Sequence, residues 1–131
     1  MTSTSDYLAE ALLNETLRGV AFAAITTPYI SLHSANPGKT GANELVPGAN
    51  AYVRKAATFG APVSTALGKI VSNTGLLEWL NMPAATVAYA GVWDALSLGN
   101  FLYVGTLNVS EIVTAGAAYY IAIGALTVEL R

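Results

Sequence analysis

The chain has 131 residues, 53% of them hydrophobic and only 11% charged, with a formal net charge of −2 and no cysteine. That length suits a single domain, 1–131, around one core. Absent thiols exclude disulfides, thiolate metal sites and cysteine nucleophiles, and six Lys and Arg scattered from Arg18 to Arg131 supply no basic field for nucleic acid.

In chain order, Met1–Asp6 carries no Lys or Arg ahead of the first apolar residues, unlike the positive start of a secretory signal. From Asp6 to Arg18 the spacing predicts an α-helix, with Leu8, Leu12, Leu13 and Leu17 as its apolar stripe and Glu10, Asn14 and Arg18 facing away. Ser5 or Asp6 caps its start and Gly19 its end. The stripe packs on the chain's own core or docks on a neighbouring subunit, which makes Leu8 and Leu12 candidate contact residues.

After Gly19, residues 20–131 read as mostly β, with short apolar stretches punctuated by Gly, Pro, Asn and Ser. Tyr29–Ser34 is a predicted strand with Ile30 and Leu32 on one face and Ser31 and His33 on the other. Asn36-Pro37-Gly38 forces a turn, Lys39–Asn50 reads as an exposed loop, and Ala51–Phe59 is extended with Arg54 and Lys55 on opposite faces. Gly60–Asn73 fits no single pattern, and Leu76–Leu80 is too short to separate helix from strand. Val87–Trp93 and Phe101–Leu107 are predicted strands joined by an Asp94–Asn100 turn. The end of the chain, from Tyr119 to Leu130, alternates, with Leu126, Val128 and Leu130 inward and Thr127, Glu129 and Arg131 outward. The fold expected is mainly β, an antiparallel β-sandwich or jelly-roll-like domain with one N-terminal helix.

The longest uncharged run, seventeen residues between Glu111 and Glu129, is at the short limit for a bilayer span and holds Gly116, Gly124 and an alternating strand, so no membrane partner is expected. His33 is the only histidine and the eight acids are dispersed, so no metal site, no catalytic residue and no cofactor site is assigned. Gly38-Lys39-Thr40 looks like the end of a phosphate-binding loop, but His33 stands where the earlier glycine belongs. Seven Tyr and two Trp belong either to the core or to an interface; Trp79, Tyr119 and Tyr120 are the candidate contact residues among them. A quarter of residues charged is usual for soluble domains, so a chain this poor in charge is expected to be an assembly subunit.

The order Leu12-Leu13-Asn14, Arg18-Gly19, Ala21-Phe22, Tyr29-Ile30-Ser31-Leu32-His33-Ser34-Ala35-Asn36-Pro37-Gly38, Asn43-Glu44-Leu45 and Ala51-Tyr52-Val53-Arg54-Lys55 resembles small tailed-bacteriophage virion proteins, often labelled tail fibre or hypothetical structural proteins. The likeness continues through Met82-Pro83-Ala84-Ala85, Val92-Trp93-Asp94-Ala95, Gly99-Asn100-Phe101-Leu102-Tyr103 and a closing Ala115-Gly116 hairpin; Gly116-Ala117 stands where the family commonly has Gly-Asp. With the composition, the resemblance implies a capsid decoration or cement protein on the capsid exterior, a homotrimer binding over junctions of the major capsid protein and stabilising the assembled shell. A tail, neck, baseplate or tail-fibre component is the alternative, and a glycan- or receptor-binding module the next. An enzyme ranks last, because one histidine and dispersed acids offer too few parts.

Overall fold

Ser5 sets the first element. In the computed structural model, which describes residues 3–105, 107 and 109–131, Ser5 is extended and its hydroxyl accepts the Leu8 N–H, capping α1 (Asp6–Arg18). Gly19, left-handed at φ +68°, closes the helix by returning its N–H to the Asn14 carbonyl. Both boundaries agree with the sequence pattern. Met1, Thr2, Thr106 and Asn108 lie outside the described residues, and with them the start of the N-terminal segment and one position of the predicted Phe101–Leu107 strand.

The helix buries less than its leucines suggested. Leu8 is buried and Leu12 packs on the core, whereas Leu13 and Leu17 stand 58% and 76% exposed. At 100° per residue, Leu12 sits about 40° from Leu8, but Leu13 and Leu17 sit about 140° and 180° away. The expected single stripe is therefore two faces, and only the first meets the strand Phe101–Gly105.

Among the described residues there are twelve strands, the longest of them in the β-branched and aromatic stretches. They are β1 (Ser3–Thr4), β2 (Tyr29–His33), β3 (Lys55–Ala56), β4 (Val63–Ser64), β5 (Lys69–Ser72), β6 (Leu77–Trp79), β7 (Ala85–Val87), β8 (Tyr89–Trp93), β9 (Phe101–Gly105), β10 (Glu111–Val113), β11 (Tyr119–Ile121) and β12 (Thr127–Leu130). All pairings are antiparallel. A five-stranded sheet runs β1-β9-β8-β2-β3, a three-stranded one β12-β5-β4, and β10-β7 and β11-β6 form two-stranded pieces. The mainly β, one-helix fold expected from the sequence is observed, with the strands divided over four antiparallel sheets.

Several predicted boundaries shift. The Val87–Trp93 stretch is interrupted at Ala88, whose N–H leaves the ladder to bond the His33 carbonyl. Tyr119–Leu130 is two strands separated by a turn, and Leu130, expected inside, is 45% exposed at the end of β12. Gly116 does take a turn conformation, φ +82°, but closes no hairpin: β10 and β11 on either side of it pair with β7 and β6 instead. Trp79 and Ala85 are separated by the same interval as their partners Tyr119 and Val113, so one register carries across the break. The Gly116 N–H to Met82 carbonyl bond (2.8 Å) and the Met82 N–H to Ala117 carbonyl bond (2.8 Å) bridge it. Residues 77–87 and 111–121 thus act as one interrupted ribbon with Met82 buried at its centre. The buried apolar residues, from Leu8 through Ile30, Tyr52, Trp79 and Leu102 to Val128, form one cluster.

Candidate functional site

The residues singled out from the sequence have distinct placements. Leu8 is enclosed beneath α1 and Leu12 packs beside it. Trp79 is fully buried, donates its indole N–H to the Val53 carbonyl (2.8 Å) and lies 6.1 Å from the ring of Tyr119 at a tilted angle. Tyr119 and Tyr120 alternate on β11, one buried and the other 52% exposed. Four of the five therefore face this chain's own interior, and Tyr120 faces outward.

The structure also builds a polar centre that local pattern did not show. Ser31 and His33, two apart on β2, share a face and are fully buried against β8. His33 Nδ1 lies 2.7 Å from the Ala42 carbonyl, which can only accept, so Nδ1 carries the proton. Nε2 then accepts from the Ser31 hydroxyl (2.6 Å), whose oxygen in turn accepts from the Trp93 indole N–H (2.8 Å). This is a serine–histidine pair without access: a Cβ added at Gly91 would sit 2.6 Å from Ser31 Oγ and 2.7 Å from His33 Nε2. Burial holds the imidazole below its ordinary pKa and Arg54 adds to that, against the opposing pull of the Ala42 carbonyl and Glu44.

Next to this centre lies a buried ion pair. Arg54, on the inward face of the extended run through Tyr52 and β3, meets Glu44 twice, Nη2 to Oε1 at 2.9 Å and Nε to Oε2 at 3.0 Å. The Tyr52 hydroxyl donates to the same Oε2 (3.0 Å) and accepts the Leu32 N–H (2.9 Å), and burial pushes its pKa well above the usual phenol range. The stretch expected to be an exposed loop, Lys39–Asn50, thus delivers Glu44 and Leu45 inward. One sequence signal was available: Arg54 shares its face with Tyr52, and a cation on an inward face needs an acid brought to it.

Arg54 organises the surface above it as well. Its guanidinium stacks 3.7 Å over the Trp93 ring, and Nη1 donates to the carbonyls of Ala95 (3.1 Å) and Leu98 (2.8 Å) in the β8–β9 turn. Asp94 fastens the same turn by accepting both the backbone and side-chain N–H of Asn100. Held this way, Leu98 adopts φ +54° and stands 86% exposed. Beside it opens a hollow of about 650 Å³ lined by Pro47, Val53, Arg54, Trp93, Leu96 and Gly99, among others. A smaller hollow of about 370 Å³ lies at β10 and β11, where Tyr120 is part of the wall and Ile112 on the adjoining strand is 81% exposed.

Chemically, the hollow beside Leu98 presents a mostly apolar wall and the smaller one a mixed polar and apolar wall. Every buried side-chain nitrogen and oxygen among the described residues has a partner, and no three His, Asp or Glu among them are grouped as for a metal ion. No helix among them is long and apolar enough to cross a membrane. In comparisons with known proteins, the family described as Podophage GP4 fiber I protein gp80 matches residues 3–129. No curated protein matches the chain.

Proposed function

The chain belongs to the Podophage GP4 fiber I protein gp80 family of tailed-phage virion structural proteins, and from that premise we propose that it is a non-enzymatic structural subunit of the virion, built to be repeated within a fibre. The observation that carries this reading is the division of side chains: the Ser31–His33–Trp93 and Arg54–Glu44–Tyr52 networks are satisfied within the fold, while Leu98, Ile112, Val109 and Val46 are each at least 70% exposed. Exposed apolar surface on that scale is characteristic of a protein that buries it against partners. Association then draws on apolar area removed from water, at roughly 25 cal/mol per Å².

A capsid decoration protein, trimeric over junctions of the major capsid protein, is the second reading. In its favour, the helix among the described residues has thirteen residues and the longest strands five, so none of the described elements runs far along a fibre. A small block of this kind also suits a lattice. The glycan-binding reading has less support, since Trp79 is buried and Arg54 lies over the Trp93 ring. Mass spectrometry of purified virions, with antibody labelling in the electron microscope, separates the first two. A few copies at the tail are expected; copies near the number of major capsid subunits, with label over the shell, would replace the fibre reading with decoration.

A further inference from the structure

The β8–β9 turn carries a feature that its own folding does not require. Leu98 is in the left-handed region, where a branched side chain is disfavoured and Gly or Asn is the usual choice. Its side chain is 86% exposed and so gains little from the chain's own core. A strained residue persists where its surroundings over-determine it, and such residues cluster at binding sites. Here Arg54 grips the Leu98 and Ala95 carbonyls while Asp94 fastens Asn100. The result is a rigid apolar knob at the rim of an apolar hollow.

We propose that this face, formed by Pro47, Val53, Leu96 and Leu98, docks a second copy of the chain, with Leu98 of each copy seated in the hollow of the other. It deepens the reading of the protein as a repeated subunit and rests on it. Two observations select a second copy. Knob and hole lie on the same face, so a twofold axis through that face makes it complementary to itself. The charge at the floor is already spent, because Arg54 is neutralised by Glu44 through Nε and Nη2 and both N–H groups of its Nη1 go to carbonyls. A charged partner would lose hydration there and gain no counter-ion, whereas this chain presents the same uncharged face in return.

The test uses sedimentation of the full chain with Leu98→Asp, Leu98→Asn and, on the outer helix face, Leu17→Asp. Both Leu98 variants are expected to weaken self-association at least tenfold while Leu17→Asp leaves it unchanged. Leu98→Asn should melt no lower than wild type when dilute, since Asn tolerates the left-handed conformation. Because the chain has no cysteine, mixing Leu98→Cys with Val53→Cys protein and oxidising should yield a covalent dimer. An association that persists undiminished in both Leu98 variants, or no cross-link, overturns this face as the contact and leaves the subunit reading intact. A wild type that stays monomeric at about 100 μM, far above the Kd of a specific interface, overturns the proposal; a fibre reading that fails as well would show separately in the virion labelling.

Discussion

At the scale of single residues, His33 makes stability depend on pH in a predictable direction. Its imidazole is neutral in the fold and held below its ordinary pKa by burial, while in the unfolded chain it titrates near 6.5. Above that value both states are neutral and the residue contributes no slope. Below it the unfolded chain takes up a proton that the folded one refuses, so stability falls by up to about 1.4 kcal/mol per pH unit until the folded group titrates. The melting temperature is expected to drop as the pH falls below about 6.5, and His33→Asn, which can keep a donor toward Ala42, should flatten that fall. A wild-type curve already flat there would mean that the buried imidazole does not govern it. Arg54 offers a second test at this scale. Arg54→Met leaves Glu44 buried without its cation and the Ala95 and Leu98 carbonyls without a donor, so chemical denaturation should show a loss of about 3–5 kcal/mol.

At the scale of elements, the helix separates what local sequence can encode from what it cannot. Its caps were legible because Ser5 and Gly19 act within three to five residues of themselves. Its buried face was not fully legible, because four leucines satisfy a loose count of helical spacing while only Leu8 and Leu12 share one side. Leu8→Ala is expected to cost about 2–5 kcal/mol, and Leu17→Ala to stay within about 0.5 kcal/mol, both read from urea midpoints. Equal losses from the two would place Leu17 in the core after all. The alternation of Ile30 with Leu32 and of Leu126 with Val128 was legible for the same local reason. The ribbon joining 77–87 to 111–121 was not, since periodicity states that a segment is extended and says nothing of its partner. Turn residues such as Ala115-Gly116 suggested the nearest partner, and the long-range register prevailed because it buries Trp79, Met82, Val113 and Tyr119 together. The candidate contacts followed the same rule: aromatic residues were found by type, but only alternation on β11 turns Tyr120 outward, and the knob at Leu98 depends on an arginine 44 positions away.

At the scale of the whole molecule, the small number of charges decides what kind of force can hold an assembly. Six basic and eight acidic residues serve the entire chain, and Glu44 and Arg54 neutralise each other inside it. What remains outside is spread too thinly to form a field, while leucines, valines and isoleucines stand exposed in number. Contacts between copies should therefore be apolar, and ionic strength should hardly touch them, because screening acts only on charges that face each other across water. Raising sodium chloride from 0.05 to about 0.5 M, which shortens the screening length several-fold, is expected to change the self-association constant by less than about twofold. Ammonium sulfate, excluded from protein surface, should strengthen it, and cooling should weaken it as the hydrophobic contribution fades. Sedimentation across these three series distinguishes the forces. A tenfold loss of association in sodium chloride would show that ion pairs hold the copies together, and the interface would then have to be sought around Lys39, Lys55 and Lys69 rather than around Leu98.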